Sequence, residues 1–323
     1  MKRRGLLHAA GVSCLWALGA PVVAQARARR VAWIWAGGRE SIIDACRAGL
    51  REHGFTEPGT LALEVRTVGL QAEGVGTLVD AIVAGGAEVV IAQGPVAPVV
   101  HRAVAGRVPV VVAFSGDVVE AGLVESLRRP GKRTTGVSFM VLELVGKRLE
   151  LLKEIAPSVR RVGIVLNSGH YGFRAELEET LRAAKALGMS SETFDVRTAD
   201  AFEPAFRAMS RAKLDGIVVF PDALMTRMAP TLSAFAIRER LPVVSGWDEI
   251  VRGGALASYG PDLTEAYARV GVQAARILEG ADASLIPVER PTHIRIAVNL
   301  RTAAAIGVTV PRAVIARADE VIR

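Results

Sequence analysis

The 323-residue chain reads as an α/β protein of two lobes, each built on a parallel, doubly wound sheet. Three observations lead there. Short continuous apolar runs rich in Val, Ile and Ala alternate with segments of helical periodicity, as strands buried on both faces alternate with their crossover helices. Each run breaks sharply into a loop of Gly, Ser, Asp, Asn or Gln. The pattern then restarts after residue 139, so one unit is used twice.

Taken in order, residues 31–35 form the first strand and Ala36-Gly37-Gly38-Arg39 the loop at its carboxyl end. Ser41 and Asp44 have the spacing of a capping box for a helix that buries Ile42, Ile43, Cys46 and Leu50 and ends near Gly54. A strand at 61–68, a helix at 74–83 and a strand at 89–92 follow, the last emptying into Gln93-Gly94-Pro95, with Pro95 suited to the first turn of the next helix. Residues 108–114 are a fourth strand that ends in Ser115-Gly116-Asp117, and 118–127 read as a short helix. Residues 134–139 are a further strand and the first crossing between lobes.

Beyond it, Leu142, Val145, Leu149, Leu152 and Ile155 recur on a core-facing helix stopped by Pro157, with Glu143 and Lys147 paired on its wet face. A strand at 161–166 ends in the loop from Asn167 through His170 and Tyr171 to Gly172; a helix at 176–187 is closed by Gly188. Asp200 and Glu203 start another helix, and a strand at 215–220 runs into Pro221-Asp222. Strands at 241–245 and 256–259 flank Gly246-Trp247-Asp248. A second crossing lies at 259–262, a helix carrying Leu263, Tyr267, Val270, Ala274 and Ile277 returns to the first lobe, a third crossing lies at 287–291, and 293–299 close the second lobe as a strand. The lobes are thus 27–138 with 263–286, and 139–262 with 287–323.

Residues 1–26 read as a secretory signal: Lys2-Arg3-Arg4, an apolar stretch, and an Ala24-Gln25-Ala26 cleavage site. Export by the general route follows, in preference to a twin-arginine route through Arg3-Arg4 or lipid attachment at Cys14. Removing three of the 40 basic residues with that segment leaves 37 against 33 acidic ones, about +4 in place of +7. The remaining cations are scattered among acids with no basic stripe or zinc-finger spacing, which excludes nucleic-acid binding. Cys46 is then alone, without an intramolecular disulfide partner, and reads as a buried thiol.

No enzyme motif is present. His8, His53, His101, His170 and His293 never stand at metal-ligand spacing, and no HExxH or GxSxG occurs. Gly131-Lys132 continues into Arg133, and Gly74-Val75-Gly76 into Val79, so neither completes a phosphate-binding loop. No cofactor or metal is expected.

Several blocks occur in a fixed order after residue 30: Gly122-Leu123-Val124, Arg129-Pro130-Gly131, Thr135-Gly136-Val137-Ser138, residues 146–154, Ser258-Tyr259-Gly260-Pro261-Asp262-Leu263, Pro287-Val288-Glu289 and residues 318–322. Together they resemble the ABC-transporter substrate-binding protein family that includes tryptophan- and aromatic-amino-acid-type binding proteins. That resemblance implies a type I periplasmic-binding-protein fold with three interlobe crossings, located in the periplasm as a monomer. It implies a protein that closes on a small-molecule ligand and hands it to an ABC permease in the inner membrane. An exported ligand-sensing module for a membrane receptor is the alternative that this chain leaves open.

Open α/β sheets bind ligands at the carboxyl ends of their strands. Candidate ligand-binding residues there are Gly37, Gly38, Gln93, Gly94, Ser115, Gly116 and Asp117 from the first lobe, Asn167, Tyr171, Asp222 and Trp247 from the second, and Tyr259 at the hinge. For an amino acid, Asp117 or Asp222 would receive the ammonium, and Ser115, Gln93 and loop amides the carboxylate. Either Asp equally serves as a helix N-cap, and Arg39 equally serves as a surface charge.

Overall fold

A computed structural model describes residues 27–37, 39–70, 72–139 and 142–323; residues 1–26, read from the sequence as a secretory signal, and Gly38 therefore lie outside the described residues. The first sheet has the order β2-β1-β3-β4-β5, all parallel. It comprises β1 (Arg29–Trp35), β2 (Leu61–Thr67), β3 (Val89–Gln93), β4 (Val110–Phe114) and β5 (Thr134–Ser138), with helices α1 (Glu40–Glu52), α2 (Val75–Ala84) and α3 (Ala97–Val104) between them. Every residue of β4 is buried, which explains why its sequence is apolar without alternation.

The second half supplies α4 (Val145–Ile155), β6 (Arg161–Leu166), α5 (Phe173–Ala186), β7 (Ser190–Asp195), α6 (Phe202–Arg211), β8 (Gly216–Val219) and α7 (Ala223–Arg238). It continues through β9 (Val243–Ser245), α8 (Asp248–Arg252), β10 (Ala257–Pro261), α9 (Leu263–Leu278), β11 (Ile294–Asn299), α10 (Leu300–Ile306), α11 (Arg312–Arg317) and β12 (Glu320–Ile322). Its sheet has the order β12-β11-β10-β9-β8-β6-β7, parallel except where β11 runs antiparallel to β10. That reversal arises because the chain enters β11 from α9 and the 287–291 stretch, which pairs beside β5 through Val137 and Glu289.

Each sheet carries a hydrophobic core on both faces. One face of the first sheet packs Trp33, Ile91 and Val111 against Ile42, Cys46 and Leu50 of α1 and Tyr267, Val270 and Ala274 of α9. Two glycines set the spacing of that helix pair. A Cβ at Gly49 would lie 2.0 Å from the Ala268 carbonyl oxygen, and one at Gly271 2.1 Å from that of Cys46, so the backbones touch where the side chains are absent. Cys46 is fully buried, and desolvation pushes its thiol up to about 12.

Local expectations fail where a competing interaction wins. Residues 118–127 make one turn and no helix: the Asp117 carboxylate caps the Val119 and Glu120 amides, but Gly122 enters the left-handed region at φ 70° and ends it. Helix α1 starts at Glu40 with Arg39 as its N-cap, so Ser41 lies inside it and Asp44 pairs with Arg47 at 3.2 Å. Glu143 falls in a 3-10 turn at 142–144 and reaches Arg290, while Lys147 pairs with Glu150 at 2.7 Å.

Candidate functional site

The carboxyl ends of the two sheets face each other, and a cavity of about 300 Å³ lies between them. From the first sheet's side come Gly37 and Arg39 after β1, Ile42 of α1, Gln93 at the end of β3 and Gly94 after it, Ala113 and Ser115 of the β4 end, Phe139 after β5, and Leu263 and Tyr267 of α9. From the second come Ala223, Thr226 and Arg227 of α7 and, after β9, Trp247 and Glu249. The two sides interlock. Trp247 packs on the first lobe's core beneath α1 and α9, Tyr171 on the core beneath α2 and α3, and Leu70 on the second lobe's core beneath α7.

Aromatic rings form one wall. Tyr267 stacks on Trp33 with centroids 5.7 Å apart and meets Phe139 at 5.3 Å, which fixes its place in the cavity lining. Burial, followed by the nearby Glu249 charge, raises the Tyr267 hydroxyl far above its ordinary range, so it stays a neutral donor.

The charged end of the cavity is an ion pair between lobes: Arg39 reaches a Glu249 carboxylate oxygen at 3.2 Å and the Asp248 carboxylate at 3.9 Å. Its polar capacity is only partly used. Arg39 Nε, Glu249 Oε2 and Gln93 Oε1 are all buried without a hydrogen-bond partner among the described residues. Desolvation, then the neighbouring Asp248 charge, pushes the Glu249 carboxyl up to about 7, against the opposing pull of Arg39.

Of the residues the sequence put forward, Gly37, Gln93, Gly94, Ser115 and Trp247 line this cavity. Gly116, Asp117, Asn167, Tyr171, Asp222 and Tyr259 are not in its lining. Asp117 caps the turn that follows it. Asp222 caps α7 through the Met225 amide at 2.7 Å and accepts from Asn167 Nδ2 at 2.8 Å, so both of its carboxylate oxygens are engaged. The Tyr171 carbonyl accepts from the Asp117 amide, Gly116 packs under that same carbonyl, and the Tyr259 carbonyl accepts from Arg148 Nε.

Sequence reasoning missed Glu249, Tyr267, Thr226 and Arg227 and undervalued Arg39. Glu249, two residues past Trp247, carried a usable signal: an acid at the start of a short segment whose next residues, Ile250 and Val251, are fully buried. Tyr267 stood as the one hydroxyl in an otherwise apolar helical stripe. Among the described residues, no cluster of three or more His, Cys, Asp or Glu side chains has metal-binding geometry, and no helix is long and apolar enough to cross a membrane.

Two α/β lobes facing each other across a cavity, joined by three chain crossings, define the type I periplasmic-binding-protein fold, a class of binding proteins. Within it, the chain belongs to the ABC transporter substrate binding protein family, whose model matches residues 31–322. A tyrosine-binding protein of Clostridioides difficile (strain R20291) is 27% identical over 199 residues, covering 62% of this chain and 57% of that relative's length. Among solved structures, an ABC domain from Streptococcus pneumonia in complex with L-Trp superposes with a TM-score of 0.83 at 24% identity, covering 91% of this chain and 100% of that one. A conserved domain protein of Vibrio cholerae gives 0.78 at 26% identity with the same coverage, 91% and 100%. A ligand-free, open substrate binding protein with adhesive properties from Clostridium difficile gives 0.68 at 23%, covering 91% and 99%. The family is a non-catalytic, substrate-binding one.

Proposed function

We propose that the chain is the exported solute-binding component of an ABC importer, that it captures a small amphipathic solute of the amino-acid kind by hinge closure of its lobes, and that it delivers the solute as a monomer to an inner-membrane permease. The observation that carries this reading is the interlobe cavity itself, aromatic on one wall and charged at one end, with residues from both lobes. A solute bound there adds contacts to both sides, so it stabilises the closed arrangement over the open one by its differential affinity. The matching relative that binds tyrosine and the L-Trp complex support an amino-acid solute.

Gly37, Gln93, Gly94, Ser115 and Trp247, with Arg39, Glu249 and Tyr267, are the residues we assign to the solute. Residues 1–26 act as the export signal, and the hinge lies where the chain crosses between the lobes, 27–138 with 263–286 on one side and 139–262 with 287–323 on the other. Native mass spectrometry of the protein recovered from an export-competent host tests the reading. One small molecule bound one-to-one is expected, and adding it back at a hundredfold excess over its dissociation constant stabilises the stripped protein by about 2.7 kcal/mol. Chemical turnover of the bound molecule, or failure to bind any of a panel of amino acids, sugars and nucleosides, would overturn it.

A further inference from the structure

We propose that Glu249 and Gln93 receive a protonated amine of the solute while Arg39 holds its carboxylate, so that this cluster selects a free zwitterionic amino acid. The proposal rests on the solute-binding reading above and assigns the solute's charged end within it. The three buried polar atoms without partners around the cavity decide the chemistry: Glu249 Oε2 and Gln93 Oε1 are acceptors, and Arg39 Nε is a donor. A group that satisfies two acceptors must bring at least two N–H or O–H donors, and one that neutralises a desolvated carboxylate must be a cation. An ammonium does both. The remaining donor, on a guanidinium already turned toward the cavity, matches a carboxylate, and Arg227 and Ser115 line the same space.

A sugar fits this arrangement less well. Its hydroxyls satisfy acceptors but leave the Glu249 charge without a counterion beyond Arg39, and the cavity's other wall is Ile42, Phe139, Trp247, Leu263 and Tyr267. One polar end and one apolar end describe an amino acid with a large apolar side chain. The protein's own side chains already show the charge pattern: Arg39 and Glu249 satisfy each other in part at 3.2 Å, as the carboxylate and ammonium of the solute would satisfy each separately.

The test is calorimetric titration of the mature protein and of Glu249→Gln with L-tryptophan, L-tyrosine, tryptamine and indole-3-propionate. Glu249→Gln keeps shape and removes a desolvated charge, so its melting temperature should equal or exceed that of the parent, which confirms a folded variant. Wild type should bind the two amino acids, and Glu249→Gln should weaken them about 10- to 100-fold, the range for one charged hydrogen bond. Indole-3-propionate, lacking the amine, should bind the two proteins within about twofold, as expected for a probe that makes no bond to residue 249. Amino-acid binding unchanged in Glu249→Gln would overturn the assignment and leave the transport reading standing. Wild type that ignores all four probes but carries another solute by native mass spectrometry would do the same. Absence of any solute would remove the function itself.

Discussion

Ser115 Oγ and His170 Nε2 meet at 2.8 Å across the cleft, joining the loop after β4 to the loop after β6. The contact is part of a wider latch. The Asp117 amide donates to the Tyr171 carbonyl at 3.3 Å, and the Phe114 ring stacks on His170 with centroids 6.2 Å apart. Gly116 sits at its centre, where a Cβ would lie 2.5 Å from the Tyr171 oxygen. Gly116, Asp117 and Tyr171 thus hold lobe to lobe, and their position beside the cavity explains why strand-end reasoning assigned them to the solute.

Gly116→Ala should impede closure far more than folding. Residue 116 has no positive φ, so alanine costs its lobe no backbone strain, although the Phe114 ring edge at 2.9 Å must yield. Across the cleft the Tyr171 carbonyl cannot yield without parting the lobes. Overpacking of about 1–3 kcal/mol translates into solute binding weakened about 5- to 150-fold. Small-angle scattering of the solute-saturated variant should give a larger radius of gyration than wild type; equal radii and affinities would show that the lobes close without this contact.

The buried pair of Arg148 and Glu176, 2.6 Å apart, anchors α4 to α5 beneath the second lobe's strand ends. Arg148 also donates to the Tyr259 carbonyl, and Gly246 leaves room for its guanidinium, to which a Cβ there would come within 2.6 Å. Glu176→Ala leaves that cation buried without its partner, and should cost about 3–5 kcal/mol. Replacing both partners by apolar residues of similar volume should recover most of the loss. Urea denaturation of the three proteins checks both numbers.

The fold was legible because its strands are buried on both faces and its helices on one, which leaves unmistakable runs such as 110–114 and stripes such as Leu149, Leu152 and Ile155. What escaped lies at edges. Strand β7, Ser-Ser-Glu-Thr-Phe-Asp, buries only Phe194 and has no apolar run to betray it; β12 is three residues long. The site was half legible for a related reason. Residue type and strand-end position found Gln93, Ser115 and Trp247, but Arg39 and Glu249 define a charged end only once the second lobe meets the first, a pairing of residues 210 positions apart that no local pattern encodes.

Gly271→Ala should destabilise the first lobe by about 1–3 kcal/mol, the range for forcing an extra methyl into a packed contact. The added Cβ would meet the Cys46 carbonyl at 2.1 Å and push α9 off α1. Alkylation of Cys46 reports the same event: its thiol, buried and pushed up to about 12, should resist iodoacetamide in the native protein and react faster in the variant. Unchanged melting and unchanged protection would show that the two helices accommodate the methyl by sliding.

Solute binding should depend on pH through Glu249. Its carboxyl is raised to about 7 by burial and by Asp248, with Arg39 opposing from the β1 loop, Tyr267 facing it from α9, and Arg252 and Arg295 drawn to Asp248. A bound ammonium favours the charged form and so lowers that value. Affinity for an amino acid should therefore be highest above about pH 7 and fall as pH drops below it, with a proton released on binding at pH 6 and none at pH 8.5. Stability of the solute-free protein runs the other way. A carboxyl raised above its unfolded value contributes stability that is fully present below about 4.5 and is lost as pH rises through about 7. The melting-temperature difference between Glu249→Gln and wild type should accordingly be small at pH 5 and favour the variant at pH 8. Calorimetry in two buffers of different ionisation enthalpy measures the proton, and the comparison with Glu249→Gln removes the contribution of the histidines; identical pH profiles in the two proteins would mean that Glu249 does not titrate in this range.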